Sequence, residues 1–183
     1  MTWANLVTCL RLLLIPVVVL VYSAGFAGAG FWAALIFTIA SLSDFLDGFL
    51  ARRLNQVSNF GAFLDPVADK LLVAVALIML VADYPVLVAA SSIIIGREIL
   101  ISALREWMAG RGHRDAVAVA FTGKLKTTFQ MIAIVALILA GPGWPAWIFT
   151  LGLVLIHIAA LLSVWSMIEY FSKAWGALFP KSD

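Results

Sequence analysis

The stretch SDFLDGFLARRLNQVSNFGAFLDPVADKLL, residues 43–72, sets four aspartates, two arginines and a lysine into a chain that is otherwise strongly apolar. Asp44 and Asp47 are spaced i,i+3, and Asp65 and Asp69 i,i+4, so each pair occupies one face of a helix. LNQVSN at 54–59 breaks the chain between those helices. So short a connection makes them an antiparallel hairpin folding near residue 56, with Asp44 level with Asp69 and Asp47 level with Asp65. Four carboxylates thereby converge. Unpaired, they repel one another, and desolvation drives protons onto them. Two hard divalent cations resolve the conflict, because Mg²⁺ favours carboxylate oxygens together with a substrate phosphate. Gly48 lies beside Asp47, Ala51 one turn beyond it, and Gly61 one turn before Asp65. Missing side chains at these positions let a planar or phosphate group approach the backbone. Arg52 and Arg53 stand ready for phosphate oxygens, since a guanidinium suits bidentate contact.

The surrounding chain sets the context. Its 183 residues are 64% hydrophobic and 12% charged, with a mean hydropathy of +1.08. A soluble domain is about 45–50% apolar and ~25% charged. Apolar runs long enough to span a bilayer recur along the whole length, so the expected fold is all-α and polytopic. Six transmembrane helices are predicted, at 3–24, 31–52, 60–82, 86–109, 116–140 and 146–172, in one domain spanning 1–183. Most breaks carry turn chemistry: GFAGAG at 25–30, DYP at 83–85, GRGHRD at 110–115 and GPGWP at 141–145. The run 12–30 behind Arg11 resembles a signal peptide, but the residues before Arg11 are mostly apolar and carry no basic n-region. It is read as a retained first span. One cysteine, Cys9, excludes an internal disulfide and a cysteine metal cluster, and is expected to pack.

Basic residues fix the orientation. Loops 25–30, 83–85 and 141–145 contain no Lys or Arg, whereas Arg52, Arg53, Arg111 and Arg114 lie in the second and fourth connections and Lys173 and Lys181 in the tail. The positive-inside rule then puts both termini in the cytoplasm. Trp32, Trp144 and Trp147 fall near the opposite interface, as an aromatic belt requires. Arg11, Lys70, Arg97, Arg105, Lys124 and Lys126 lie within helices. Each costs roughly 2.5–3.5 kcal/mol on insertion scales, so they line a cavity or pair. All but Arg97 sit near cytoplasmic ends, and the polar cavity is expected to open there. Arg97 and Arg105, eight apart, share a helix face. Phosphate and the neighbouring carboxylates Glu98 and Glu106 are alternative partners for them. Arg11 has two readings, snorkelling to the interface or binding a lipid phosphate. His113 is read as a solvated loop residue and His157, alone in an apolar helix, as internally hydrogen-bonded. No GxxxxGK segment is present, and the scattered loop cations do not suggest nucleic acid. A metal or proton transporter is the rival reading, since intramembrane aspartates also mark ion pathways. Against it, the charge is gathered on one side, and no acidic ladder crosses to the other.

The pattern D44-x2-D47-G48-x2-A51-R52-x8-G61-x3-D65-x3-D69 resembles, without a departure, the signature of the CDP-alcohol phosphotransferases. N5-x2-T8-x2-R11, R97-E-I-L-I-S-A-L-R105-E-W107 and G123-K-L-K126-T127 extend the resemblance along the chain. Together they are similar to the bacterial members that join CDP-diacylglycerol to sn-glycerol 3-phosphate and release CMP. The resemblance implies the CDP-alcohol phosphotransferase fold and a six-helix homodimer in the bacterial cytoplasmic (inner) membrane, its active site facing the cytoplasm. It implies that Asp44, Asp47, Asp65 and Asp69 ligate two divalent cations, Mg²⁺ or Mn²⁺, and that Asp69 doubles as the base. Gly48, Ala51, Arg52 and Gly61 would hold the CDP moiety, helped by Asn5 and Thr8. Arg97, Arg105, Lys124 and Lys126 would bind the acceptor's phosphate. Members with serine, an inositol phosphate or phosphatidylglycerol as acceptor are the alternative within the family; surplus positive charge favours a dianionic acceptor. No side chain has the partners of an activated nucleophile, which favours direct transfer over a covalent intermediate.

Overall fold

The computed structural model describes the backbone of residues 3–54, 59–111 and 121–178, and the side chains within them except those of 3–7, 44–54, 59–60, 62–63, 121–122 and 124. Six helices follow in order: α1 Trp3–Ser23, α2 Ala29–Leu54, α3 Asn59–Asp83, α4 Val88–Gly110, α5 Phe121–Leu139 and α6 Ala146–Leu178. A single 3-10 turn, Pro85–Leu87, leads into α4. Among the described residues there is no strand. An unbroken apolar run satisfies its backbone internally as a helix, the one open form that lipid tolerates. The breaks at 25–30, 83–85 and 141–145 are where the sequence places them, and those at 54–59 and 110–115 lie largely outside the described residues. Gly28 and Gly143 adopt φ of 89° and 91°, which a Cβ would oppose, and so turn the chain before α2 and before α6. Pro85 bars helical geometry at Tyr84, which sits at φ −125°, ψ 80°.

One boundary differs from expectation. The sixth helix, predicted to end at 172, runs to Leu178 and has 33 residues. At 1.5 Å per residue that is about 50 Å, well beyond a ~30 Å hydrocarbon core. Lys173 does not mark a tail; it bonds Glu169 one turn earlier at 2.7 Å, an i,i+4 pair that carries the helix onward. The predicted start of the fifth helix at 116 lies outside the described residues, as do His113, Arg114 and Lys181.

The helices pack mainly as α5 on α6, α1 on α2, α1 on α3 and α4 on α6. The hairpin partners α2 and α3 touch each other less than each touches α1, which fills the seam between them. One large core, including Phe37, Leu77, Leu80, Ile94, Leu137 and Ile156, joins the helices, and a smaller cluster at Ile101, Leu104, Met108, Tyr170 and Ala174 ties α4 to α6. Two contacts depend on missing side chains. A Cβ at Gly30 would stand 2.8 Å from the carbonyl oxygen of Ile138, and one at Gly152 would stand 2.7 Å from Leu137 Cγ. Small residues let α2 and α6 approach α5 this closely, as in other membrane bundles.

Outward-facing side chains are as apolar as the core. Leu13, Leu20, Ile78, Ile99, Leu161 and Trp165 are each more than 60% exposed and are spread over four helices. Apolar exposure on that scale suits lipid rather than water. Pro85–Gly110 and Ala146–Leu178 are long and apolar enough to cross a membrane on their own; Thr8–Ser23, Ala29–Ser43 and Leu125–Leu139 are shorter apolar segments. Trp32, Trp144 and Trp147 are exposed beside the uncharged turns. At that end the Tyr84 hydroxyl donates to the Ala140 carbonyl at 2.7 Å and its ring packs on Phe149, and the Tyr22 hydroxyl donates to Asp83 at 2.7 Å. These bonds clamp the turns together. The opposite end holds the buried charge.

Candidate active site

The charged end is organised by α1. Thr8 and Arg11, one turn apart, are both buried, Arg11 at 0% exposure. The Thr8 hydroxyl donates to the Asp65 carboxylate. Arg11 Nη1 donates to Asp69 Oδ1 at 2.7 Å, and its Nε to Ser43 Oγ at 3.4 Å. Arg11 therefore bridges α2 and α3, drawing Ser43, the neighbour of Asp44, and Asp69 to one guanidinium. Snorkelling is ruled out for Arg11: its guanidinium turns inward to a carboxylate and is shielded from the interface. Asp69 itself remains 41% exposed, open to a reactant while its orientation is fixed from behind. Pro66, between the two aspartates, gives no N–H to the Ala62 carbonyl and loosens the helix ladder there.

Asp69 borders a cavity of about 310 Å³ between α3, α4 and α5. Lys70, Arg97, Glu98, Arg105 and Lys126 also line it, so among the described residues four cations face two carboxylates. Arg97 and Arg105 reach it from one face of α4, as their spacing predicts, with Arg105 exposed and Arg97 deeply placed. Glu98 is the hub. It accepts from Arg97 Nη1 at 3.1 Å and from Lys126, whose ammonium is buried. Arg97 Nη2 donates to Ser166 Oγ at 3.0 Å, and the guanidinium stands 5.7 Å from the centre of the Tyr170 ring. Carboxylate pairing of Arg97, the alternative left open by the sequence, is thus realised, and Lys126 shares it. Among the described residues the cavity still carries a surplus of positive charge, which an anionic ligand would balance.

A second cavity, of about 680 Å³, lies between α2, α5 and the start of α6. Its wall is almost wholly apolar, with Phe37, Leu42, Ile132, Val135 and Leu151 among its residues. Ser41, Thr127 and Met131 border both cavities. A cationic chamber and an apolar groove therefore share a wall.

Of the sequence-predicted site residues, Thr8, Asp65, Asp69, Arg97, Arg105 and Lys126 are placed as above, and Gly61 is buried near the start of α3. Asn5, Asp44, Asp47, Gly48, Ala51, Arg52 and Lys124 belong to α1, α2 and α5, but their side chains lie outside the described residues. Among the described residues no three metal-ligating side chains converge, Asp65 and Asp69 being the only two of the four motif aspartates included. The motif's donors are all carboxylate oxygens, which fit a hard divalent cation and exclude a soft one. Three participants escaped sequence reasoning: Ser43, Glu98 as a bridge, and Gln130, which lines the cavity one turn beyond Lys126. The i,i+4 spacing of Gln130 from Lys126 was the signal available.

The chain resembles known proteins over nearly its whole length. The chain is 49% identical over 176 residues, 95% of either chain, to the CDP-diacylglycerol–glycerol-3-phosphate 3-phosphatidyltransferase of Salmonella typhimurium. It is 48% identical over 172 residues, 93% of either chain, to the proteins of the same name from Shigella flexneri and Escherichia coli K12. The CDP-alcohol phosphatidyltransferase model matches residues 1–165, from the Thr8–Arg11 turn through the aspartate hairpin to the cationic cavity and into α6. With all of these elements inside the match, the chain belongs to the CDP-alcohol phosphatidyltransferase family.

Proposed function

We propose that this enzyme transfers the phosphatidyl group of CDP-diacylglycerol to sn-glycerol 3-phosphate, forming phosphatidylglycerophosphate and CMP. The observation that carries the reading is the shared wall between a chamber with excess positive charge and an apolar groove. An amphiphilic donor needs an apolar path for its acyl chains, and a small dianionic acceptor needs cations. Relatives at 48–49% identity carry that activity in their name.

The acceptor's primary hydroxyl attacks the lipid-side phosphorus of CDP-diacylglycerol. The phosphorus–oxygen bond to CMP breaks, and the hydroxyl proton passes to Asp69, which Arg11 holds in position. Arg97, Arg105 and Lys126, with Lys124, receive the acceptor phosphate and set the hydroxyl's distance from Asp69. Gly48, Ala51, Arg52 and Gly61, with Asn5 and Thr8, hold the CDP moiety. Asp44, Asp47, Asp65 and Asp69 would hold two divalent cations, Mg²⁺ or Mn²⁺, supplying Lewis-acid stabilisation of charge on the pyrophosphate. CMP leaves to the cytoplasm and the lipid product returns along the groove. The enzyme works as a homodimer in the bacterial cytoplasmic membrane with both termini inside, which the distribution of loop arginines supports. Mass spectrometry of lipid extracts after incubation with CDP-diacylglycerol and sn-glycerol 3-phosphate tests the reaction. Phosphatidylglycerophosphate is the expected product; its absence, with another headgroup incorporated instead from a mixed-acceptor reaction, would overturn the acceptor assignment.

A further inference from the structure

Two buried polar atoms in residues lining the cationic cavity have no hydrogen-bond partner: Arg97 Nε and Gln130 Oε1. Gln130 is only 3% exposed. Leaving an amide oxygen buried and unsatisfied is costly, and native proteins rarely do so without a use for the atom. The two orphans have opposite needs. Arg97 Nε is a donor on a guanidinium already held by Glu98 and Ser166, and an anion is the partner that suits it. Gln130 Oε1 is an acceptor, and a phosphate oxygen cannot satisfy it. Nor does Lys126, one turn away, since its ammonium bonds Glu98. The missing partner of Gln130 is therefore a donor, and a ligand hydroxyl supplies one.

Building on the proposed function, we infer that Gln130 recognises the secondary hydroxyl of the acceptor and is a specificity determinant of this enzyme. sn-Glycerol 3-phosphate has two hydroxyls. The primary one must stand at Asp69 to react, which leaves the secondary one to donate to Gln130 Oε1 while the phosphate takes Arg97 Nε. One ligand then satisfies both orphan atoms. A phosphorylated acceptor without the secondary hydroxyl would leave Gln130 buried and unpaired, and sites built to bond a hydroxyl discriminate strongly against analogues that lack it.

The test compares sn-glycerol 3-phosphate with 3-hydroxypropyl phosphate, which keeps the phosphate and primary hydroxyl and lacks the secondary one. CMP release is followed for the wild-type enzyme and for Gln130→Leu and Gln130→Met, two variants of similar volume. The wild type should prefer sn-glycerol 3-phosphate by about tenfold or more in kcat/KM, mostly through KM. Both variants should lose that preference, turning over 3-hydroxypropyl phosphate at the wild-type rate and keeping the wild-type KM for CDP-diacylglycerol. An equal loss on both acceptors would mean that Gln130 contacts the phosphate or only supports the fold, and would overturn the inference. An unchanged preference in the variants would overturn it too, while leaving the proposed function standing. Failure of the wild type with both acceptors would overturn the proposed function and the inference together.

Discussion

Arg11→Met removes the guanidinium that joins three helices while keeping an unbranched, apolar side chain in its place. The lost bonds include those to Asp69 at 2.7 Å and to Ser43 at 3.4 Å. A hydrogen bond to a charged group contributes about 1.5–3 kcal/mol. Asp69 is 41% exposed, so solvent screens the interaction, and about 1–2 kcal/mol is the appropriate figure. If Arg11 serves to aim Asp69 at the acceptor hydroxyl, that energy is lost from the transition state, a fall of about 5–30-fold in kcat. The KM for sn-glycerol 3-phosphate should stay within about threefold, since the residues proposed to hold its phosphate are elsewhere in the cavity. Stability should change little, because the stem volume is retained and the abandoned carboxylate can hydrate. Arg11→Lys keeps the charge but gives up the planar fork, and should fall between the two. Steady-state CMP release in mixed micelles, paired with thermal unfolding in the same detergent, separates the outcomes. A wild-type kcat in Arg11→Met, or a loss confined to KM, would refute the positioning role.

Further predictions follow from the other contacts. Asp69→Asn should abolish turnover while CDP-diacylglycerol binding, measured by displacement of a labelled donor, is largely spared; retained activity would remove Asp69 as the base. Glu98→Gln leaves Arg97 and the buried Lys126 without their countercharge and should destabilise the protein by about 2 kcal/mol. Added sn-glycerol 3-phosphate should then raise its melting temperature more than it raises that of the wild type. Gly30→Ala drives a methyl group to 2.8 Å from a backbone carbonyl that cannot swing aside, and should destabilise by about 1–3 kcal/mol in thermal unfolding. Gly96→Ala, with open space around its Cβ, is the control and should be neutral or slightly stabilising.

Much of the architecture was legible because membrane helices are written in long apolar runs, and their ends in glycine, proline and polar breaks. Glu169 and Lys173 show where that reading fails. Lys173 reads from the sequence as part of the tail, yet its i,i+4 spacing from Glu169 allows a pair that prolongs α6. His157 was readable: its Nδ1 donates to the Leu153 carbonyl at 2.7 Å, one turn back, as a lone histidine in an apolar helix requires. Arg11 was not, because a sequence gives the cost of a buried cation without naming the carboxylate across the bundle that meets it. Asp69 is 58 residues away. Gln130, marked in the sequence only by its i,i+4 spacing from Lys126, was missed for another reason. An uncharged amide adds little to hydropathy and belongs to no charged motif, and only the cavity around it shows that its oxygen has no partner.

The central claim is best tested by CMP release from CDP-diacylglycerol by the purified enzyme with Mg²⁺. Glycerol 3-phosphate, serine, inositol 1-phosphate and phosphatidylglycerol would be offered separately, each with and without EDTA. Release is expected with glycerol 3-phosphate alone, abolished by EDTA and restored by excess Mg²⁺. Release with serine or phosphatidylglycerol in its place, or release indifferent to EDTA, would contradict it.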